Sequence, residues 1–547
     1  MHLSRLISEV VKNVILDKNI PCIEEIDIVI ERPKDEKFGD YSTNIAMRLA
    51  KPLKKSPVVI ANELKEEFEK NSMFEKVEIA GAGFINFYLN PDFVYKILDK
   101  IILEKENYGK SSIGNKEKVM VEYVSANPTG YLHVGHGRGA VVGDVIANIL
   151  NFAGYDVFRE YYVNDAGSQI DKLAQSVYLR YKEILGEKIE FIEDGYNGEY
   201  IYLIAEKLKE KYGDTLNKDY ENVKKEISEF SLNWAMEEIR CDLEKFGIKF
   251  DNWFSENSLY TEGKVFKTID HLQSTGFIYE NEGAKWFKTT DFGDDKDRVA
   301  VRADGTTTYY ASDIAYHKDK LERGFKRLID VWGADHHGYI KRVEAAIEAL
   351  GFGKNILDVI LVQIVNLFKD GQPFVMSKRA GTFITLRDLI DEVGKDAARI
   401  FFIMRSSDSQ FDFDLTEAKK QSSDNPAYYI QYAHARICSI VEKTSISLDK
   451  IEKFELNLLK EVEEQRLIKK LAELQEVIEI IARNSEVHRL IKYGQEVASL
   501  LHSFYNKHRV IGEDKDVECA RLKLLLSCKI VLKNILTIAG VSAPEKM

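Results

Sequence analysis

A chain of 547 residues is long enough for several domains and a large core. Its 45% hydrophobic and 30% charged content is that of an ordinary soluble globular protein, and a net charge of -12 excludes a body coated in basic charge while leaving room for local basic patches. Five scattered cysteines (Cys22, Cys241, Cys438, Cys519, Cys528), odd in number and without a C-x-x-C pair, point to reduced thiols and against a structural metal site.

The first residues place Leu3, Leu6, Ile7, Val10, Val11, Val14 and Ile15 on one helical face, and Glu9 and Asp17 break any targeting-peptide pattern. No apolar run approaches bilayer-spanning length, so a cytoplasmic protein without a membrane partner is expected. Helical periodicity and short alternating strands such as "VEIAGAGFINFYL" predict an α+β domain over 1–112, closed by the polar linker "ENYGKSSIGNKEK". Next, "KVMVEYV", a glycine-rich turn, the helix "RGAVVGDVIANILNFAG" and "YDVFREYYVND" read as a parallel βαβ unit. A charged helical insertion over about 170–250 interrupts it, and apolar runs return in "RLIDVWGADHHGY" and "LDVILVQIVNLF". The span 113–411 thus reads as α/β, a doubly wound parallel sheet. From 412 to 547 the pattern is all-α, a helical bundle poor in glycine and proline.

Within "EYVSANPTGYLHVGHGRGAVVGD" the helix is predicted to start near Gly135, which puts His133 and His136 at its N-terminus. Helix starts bind phosphate through unpaired N–H groups and partial positive charge. Gly130, Gly135, Gly137 and Gly139 are expected to let the backbone approach a ligand. The competing reading is that the two histidines cap or fill a loop. A second element, "DGQPFVMSKRAGTFITLRDLI", reads as a hairpin turn at "KDGQP" and a basic loop, followed by a capping box from Thr385 and Asp388. A lysine on that loop could follow charge onto a leaving pyrophosphate. Alone, the loop is as well read as a solvated basic turn.

Together, "HVGH" resembles the HIGH motif and "VMSKR" the KMSKS motif of class I aminoacyl-tRNA synthetases. "VEYVSANPTGYLHVGHGRGAVVGD", "YYVNDAGSQI", "TYYASDIAYH", "VWGADHHGYI", "FYNKHRVI" and the terminal "GVSAPEKM" are similar to the arginyl-tRNA synthetase family. The likeness runs along the whole chain. It implies a Rossmann-type catalytic domain, an N-terminal tRNA-contacting domain and a C-terminal anticodon-binding domain. The implied reaction converts L-arginine and ATP, with Mg2+, to arginyl-adenylate and passes the arginyl group to the 3′ end of tRNA(Arg), in an enzyme that is usually a monomer.

By the same resemblance His133, His136 and Lys378 are catalytic, with Pro128, Thr129, Gly135, Met376 and Ser377 also at ATP. Glu122, Ser125, Asn127, His136, Tyr309, Asp313 and His336 would meet arginine, Tyr309 orienting the Asp313 carboxylate from one helical turn away. The plain alternative for Asp313 is a helix N-cap. The loop departs from KMSKS at Val375 and Arg379, so Lys116 or Lys118 would replace the missing first lysine. Phe38, Tyr41 and Asn44 are candidates for the tRNA elbow, and Tyr428, Arg436, Tyr505 and Asn506 for the anticodon. Most aromatics at helical spacing there, Tyr428, Tyr432, Tyr493, Phe504 and Tyr505, are expected in the core. A cysteinyl enzyme would call for a zinc site, which the cysteines do not offer. A lapsed relative would not be expected to keep His133, His136 and Lys378.

Overall fold

The computed structural model describes residues 3–18, 20, 26–374, 384–454 and 457–547, with the Glu36 side chain left out. In the N-terminal domain the first helix, Leu3–Asp17, buries Leu3, Ile7, Val11 and Ile15, the stripe its spacing predicts. Full burial of each such side chain contributes roughly 1.5–3 kcal/mol. The helices pack on an antiparallel sheet whose strands lie in the order Ile30–Glu31, Tyr41–Thr43, Phe84–Leu89, Phe74–Ala80.

The middle domain carries the predicted parallel sheet. Its strands lie in the order Leu357–Val362, Arg327–Gly333, Lys118–Glu122, Asp156–Val163, Asn252–Ser255, all parallel. All carboxyl ends therefore reach one edge, where open α/β sheets bind ligands. The insertion is the three helices Ser168–Ile184, Glu199–Tyr212 and Lys224–Lys245, set between the last two strands of that order. A small antiparallel sheet, Ile278–Asn281, Ala284–Phe287 and Arg298–Val301, follows it and has no counterpart in the sequence reading.

The expected hairpin is present. Val365–Lys369 pairs antiparallel with Gln372–Pro373 through Asp370 (φ 53°) and Gly371 (φ 71°), the paired left-handed geometry of a tight hairpin turn. Strand Phe411–Asp414 pairs parallel with Val365–Lys369, so it straddles the boundary expected at 411/412. The helical block begins with Pro426–Val441 and includes His488–Lys507 and Lys515–Ile538, the helices its pattern marks. No helix among the described residues is long and apolar enough to cross a membrane.

Helix Val134–Phe152 runs through the centre of the molecule and is buried on nearly every side. Apolar residues fill most of its faces, and its buried polar residues Arg138 and Asp144 are both partnered, as a buried helix requires. A Cβ at Gly143 would fall 2.3 Å from the Tyr123 ring, so only glycine lets helix and strand approach this closely. Asp144 on this helix pairs with the fully buried Arg399, which also donates to Ala539 O (2.9 Å) at the end of the last helix. One guanidinium thus ties the middle domain to the C-terminal bundle. The N-terminal domain is held by Asp40–Lys469 (2.6 Å), by Arg32 against Glu473 and Glu476, and by Tyr95 OH donating to Leu459 O (2.6 Å).

Candidate active site

Beyond Glu122 the chain leaves the sheet through Val124 (φ 71°) and Ser125 (φ 38°). A β-branched residue enters the left-handed region only at a cost of about 1–3 kcal/mol, and such strain collects at ligand sites. The turn places Ser125 Oγ where it donates to Glu122 Oε1 (2.9 Å) and accepts from Tyr162 N–H (3.1 Å). Thr129 N–H then donates to Asn127 O (2.8 Å), which leaves Asn127 exposed and Pro128 buried.

His133 is the N-cap of helix Val134–Phe152. Its Nδ1 accepts from Gly135 N–H (3.1 Å), and His136 Nδ1 accepts from His133 N–H (3.3 Å). The rings stack with centroids 3.7 Å apart. The capping reading is therefore correct as far as the Nδ1 atoms go. A neutral ring so engaged carries its proton on Nε2, and that N–H can donate to a phosphate oxygen.

The glycines do less for a ligand than their spacing suggests. A Cβ at Gly137 would lie 2.7 Å from Leu386, one at Gly130 2.9 Å from Tyr200, and one at Gly135 2.9 Å from the His133 ring. Each admits a neighbouring side chain; only Gly139 has open space around it. Val375 to Phe383, and with them Met376, Ser377 and Lys378, lie outside the described residues. Immediately after them the Thr385–Asp388 capping box forms as expected. Thr385 bridges His133, and Leu386 N–H donates to Leu132 O (2.7 Å), so the second element ends against the first. Lys116 and Lys118 are exposed at the amino end of strand Lys118–Glu122, a strand's length from the histidines.

Asp313 is not a cap. Thr308 holds the N-cap position of helix Tyr309–Glu322, its hydroxyl turned to Val299 O, and Asp313 lies in the second turn, accepting from Tyr339 OH. Tyr339 therefore orients the carboxylate; Tyr309 is 58% exposed at the helix start, its hydroxyl 3.8 Å from where a Gly167 Cβ would be. His336 is exposed on the short turn Ala334–Tyr339, at the rim of the sheet edge.

Behind these residues lies a buried charge network. Lys320, fully buried, donates to Glu122 Oε2 (2.6 Å) and to Asp330 Oδ1 (2.9 Å). His317 stands between Asp330 Oδ2 (3.0 Å) and Asp313 O (2.8 Å). Burial opposes the Asp330 charge, but Lys320 and His317 together outweigh it and the carboxyl is pulled down to about 2. At Glu122 burial wins and the carboxyl stays above its ordinary range despite Lys320. Asp313 is raised as well, by burial, against the Tyr339 hydroxyl.

Glu256, which the sequence reading missed, completes the set. It directly follows strand Asn252–Ser255 and is 2% exposed, and its Oε2 has no hydrogen-bond partner. Burial, then Asp313 and Asp165, push its carboxyl up to about 7, against the Ser312 and Tyr162 hydroxyls. The Tyr162 hydroxyl is itself pushed far up by burial, with Asp313, Glu256 and Glu122 adding to the effect. Three raised carboxyls thus surround one phenol. The signal for Glu256 was an acid closing "DNWFSE", hidden because its strand is only four residues long. Arg138 was also missed: buried among four carbonyls (Gln363, Phe402, Ser406, Ser409), it is lowered to about 10 by burial and holds the helix start to the chain after it.

Comparison with known proteins covers nearly the whole chain. Residues 97–417 match the model for the catalytic domain of class I (R) tRNA synthetases, 1–89 the arginyl tRNA synthetase N-terminal domain, and 430–547 the DALR anticodon binding domain. The chain belongs to the arginyl-tRNA synthetase family. The arginine–tRNA ligase of Bacillus subtilis (strain 168) is 48% identical over 99% of this chain and 98% of its own, and that of Citrifermentans bemidjiense 50% identical over 95% of each. A Campylobacter jejuni chain described as an arginyl T-RNA synthetase superposes with TM-score 0.79 at 37% identity, covering 84% of this chain and all of its own. The Thermus thermophilus arginyl-tRNA synthetase shares the fold over the full length of both chains, with TM-score 0.77 at 21% identity. Family membership makes this chain a class I aminoacyl-tRNA ligase.

In this member of the arginyl-tRNA synthetase family the candidates for RNA contact divide. Phe38 is 43% exposed beneath Lys37, and Asn44 is half-buried at the start of helix Ile45–Leu53. Tyr41 is 1% exposed and hydrogen-bonded to Arg32, which itself reaches the C-terminal domain. It is therefore a domain anchor and no stacking platform. Of the bundle candidates Tyr493 and Phe504 are buried, Tyr428, Arg436 and Tyr505 are half-buried, and Tyr432 and Asn506 are exposed. Of the five aromatics expected in the core two are fully buried and two half-buried, because the facing helices leave one side uncovered.

Proposed function

We propose that this protein is the arginine–tRNA ligase of its cell, activating L-arginine with ATP and transferring it to tRNA(Arg), with 1–112 contacting the tRNA elbow, 113–411 performing the chemistry and 412–547 reading the anticodon. The observation that carries the amino-acid assignment is the shortage of cations among Glu122, Glu256 and Asp313. One ammonium, Lys320, is shared between Glu122 and Asp330, and burial raises the remaining carboxyls. A guanidinium supplies the missing charge together with several donors in a planar fork. Asp313 and Glu256 would receive that fork, Tyr309 would cover the side chain, and Ser125, Asn127 and His336 would meet the α-amino and carboxylate end.

The arginine carboxylate then attacks the α-phosphorus of ATP, and the bond to pyrophosphate breaks. His133 and His136 donate through Nε2 to the phosphates at the helix start. Lys378 neutralises the β- and γ-phosphates, with Pro128, Thr129, Gly135, Met376 and Ser377 lining the nucleotide. The tRNA 3′-terminal hydroxyl next attacks the acyl carbon, AMP leaves, and positioning with electrostatics supplies the rate. Among the described residues no group of three or more His, Cys, Asp or Glu could hold a metal. Mg2+ would accompany ATP, bound mainly through its phosphates and water. A cytoplasmic monomer fits this role. ATP–pyrophosphate exchange with a panel of amino acids, with and without tRNA, tests it: arginine alone is expected to support exchange, and exchange with another amino acid at equal efficiency would overturn the assignment.

A further inference from the structure

Helix Pro426–Val441 presents Tyr428, Tyr432 and Arg436 at successive i+4 positions, hence on one face. Helix His488–Lys507 packs against it closely, since a Cβ at Gly494 would come within 3.1 Å of Ile430. Two turns further on, this second helix brings His502 into the first helix's aromatic row. The His502 ring lies 5.1 Å from Tyr429 and 6.1 Å from Tyr432, which stacks parallel on Tyr428 at 5.7 Å. His502 Nδ1 faces Arg436 Nη1 at 3.4 Å, and the Arg436 guanidinium sits 4.1 Å above the Tyr505 ring. A guanidinium can only donate, so His502 Nδ1 accepts and the imidazole is neutral, with its proton on Nε2. Burial, then the Arg436 charge, lower the His502 pKa below its ordinary value and keep it so.

We infer that His502 is the positioning residue of the RNA face. Through its Nδ1 it holds Arg436 flat over Tyr505, so that guanidinium and ring form one platform for an unpaired nucleobase beside the Tyr428–Tyr432 stack. Unpaired bases are bound by such aromatic and guanidinium planes. An arginine without this acceptor would keep its charge and planar shape and lose its fixed orientation over the ring. The inference rests on the bundle being the tRNA-reading face.

The test is a double-mutant cycle on the full chain, reading the dissociation constant of an unmodified tRNA(Arg) transcript. Arg436→Ala and His502→Leu are each expected to weaken binding by about tenfold, the scale of one stacking contact. The double variant is expected to bind no worse than Arg436→Ala, since the two act as a unit. His502→Asn, whose amide oxygen can also accept from Arg436, is expected to recover most of the loss, which a purely space-filling role would not give. If leucine lowers the melting temperature, His502→Ala and His502→Gln carry the same comparison. Normal tRNA binding by Arg436→Ala would overturn the RNA face altogether. A tenfold loss in Arg436→Ala with losses that multiply in the double variant, or no rescue by Asn, would overturn the role of His502 alone.

Discussion

At the carboxyl edge of the parallel sheet carboxylates are buried and short of partners, whereas on the C-terminal bundle half-buried aromatic rings reach the surface and a guanidinium already has its partners. The difference follows from what each region would bind. A free amino acid is small, so its site must enclose it, and enclosure desolvates the groups that recognise it. Glu256 Oε2 is buried without a hydrogen bond, which costs the empty fold; in the proposed function that acceptor receives the guanidinium. A nucleobase in a large RNA arrives with a surface of its own, so a flat platform suffices and can be satisfied before binding. On the proposed reading the pocket trades stability for selectivity, and the proposed RNA face does not.

The change that breaks this contrast most severely is Lys320→Met. It leaves Glu122 and Asp330 facing each other without their shared cation, 198 residues of sequence spanned by the first of those contacts. Removing one partner from a buried network costs roughly 3–5 kcal/mol. Urea denaturation should show the loss in the midpoint; an unchanged midpoint would mean the network is not the keystone of the pocket. Next come His133→Ala and His136→Ala. Loss of a transition-state donor costs about 3 kcal/mol, roughly a hundredfold or more in rate. Single-turnover arginine activation should fall by that much in each, and near-normal rates would leave the rings as helix caps only.

A smaller effect sharpens the pocket side. Asp313→Asn and Glu256→Gln each remove a charge from the proposed guanidinium site, costing on the order of 1.5–3 kcal/mol. The ratio kcat/KM should fall about ten- to a hundredfold for arginine and much less for citrulline, which keeps the planar end without the charge. Tyr339→Phe should follow Asp313→Asn in direction with a smaller loss, since Tyr339 orients that carboxylate. Equal losses for both substrates would assign these carboxylates to the frame of the pocket.

The same contrast governs what the amino-acid order made legible. Features completed within a few residues were readable: the hairpin at Asp370–Gly371, the Thr385–Asp388 cap, the histidine pair at its helix start. Asp313 was singled out by its motif, but its orienting partner was misassigned, because Tyr339 comes from a turn 26 residues away. Glu256, Lys320 and Asp330 converge only once the sheet is assembled, and no local pattern marks them. Tyr41 misled in the opposite direction. It stands in a polar "FGDYSTN" that suggests a surface, yet Arg32 and the docked C-terminal domain bury it.

The smallest effect is a difference in sign with pH. Glu256 is raised from an ordinary value near 4.5 to about 7, so the folded pocket binds more protons than the unfolded chain between those values. Its contribution to stability is full below about 4.5 and is lost as pH rises through about 7. Three histidines of the bundle, His434, His488 and His502, are lowered by burial below their ordinary 6.5. There the unfolded chain binds the extra protons, so stability is present above about 6.5 and lost as pH falls towards the folded values. Arginine should offset the first trend, because a bound guanidinium favours the ionised Glu256, and it should leave the second untouched. Melting curves from pH 5 to 8 with and without saturating arginine would separate the two. Stabilisation by arginine is expected to grow with pH in the wild type and to flatten in Glu256→Gln. Stabilisation that stays constant with pH in the wild type would mean that Glu256 does not change its protonation when the pocket fills.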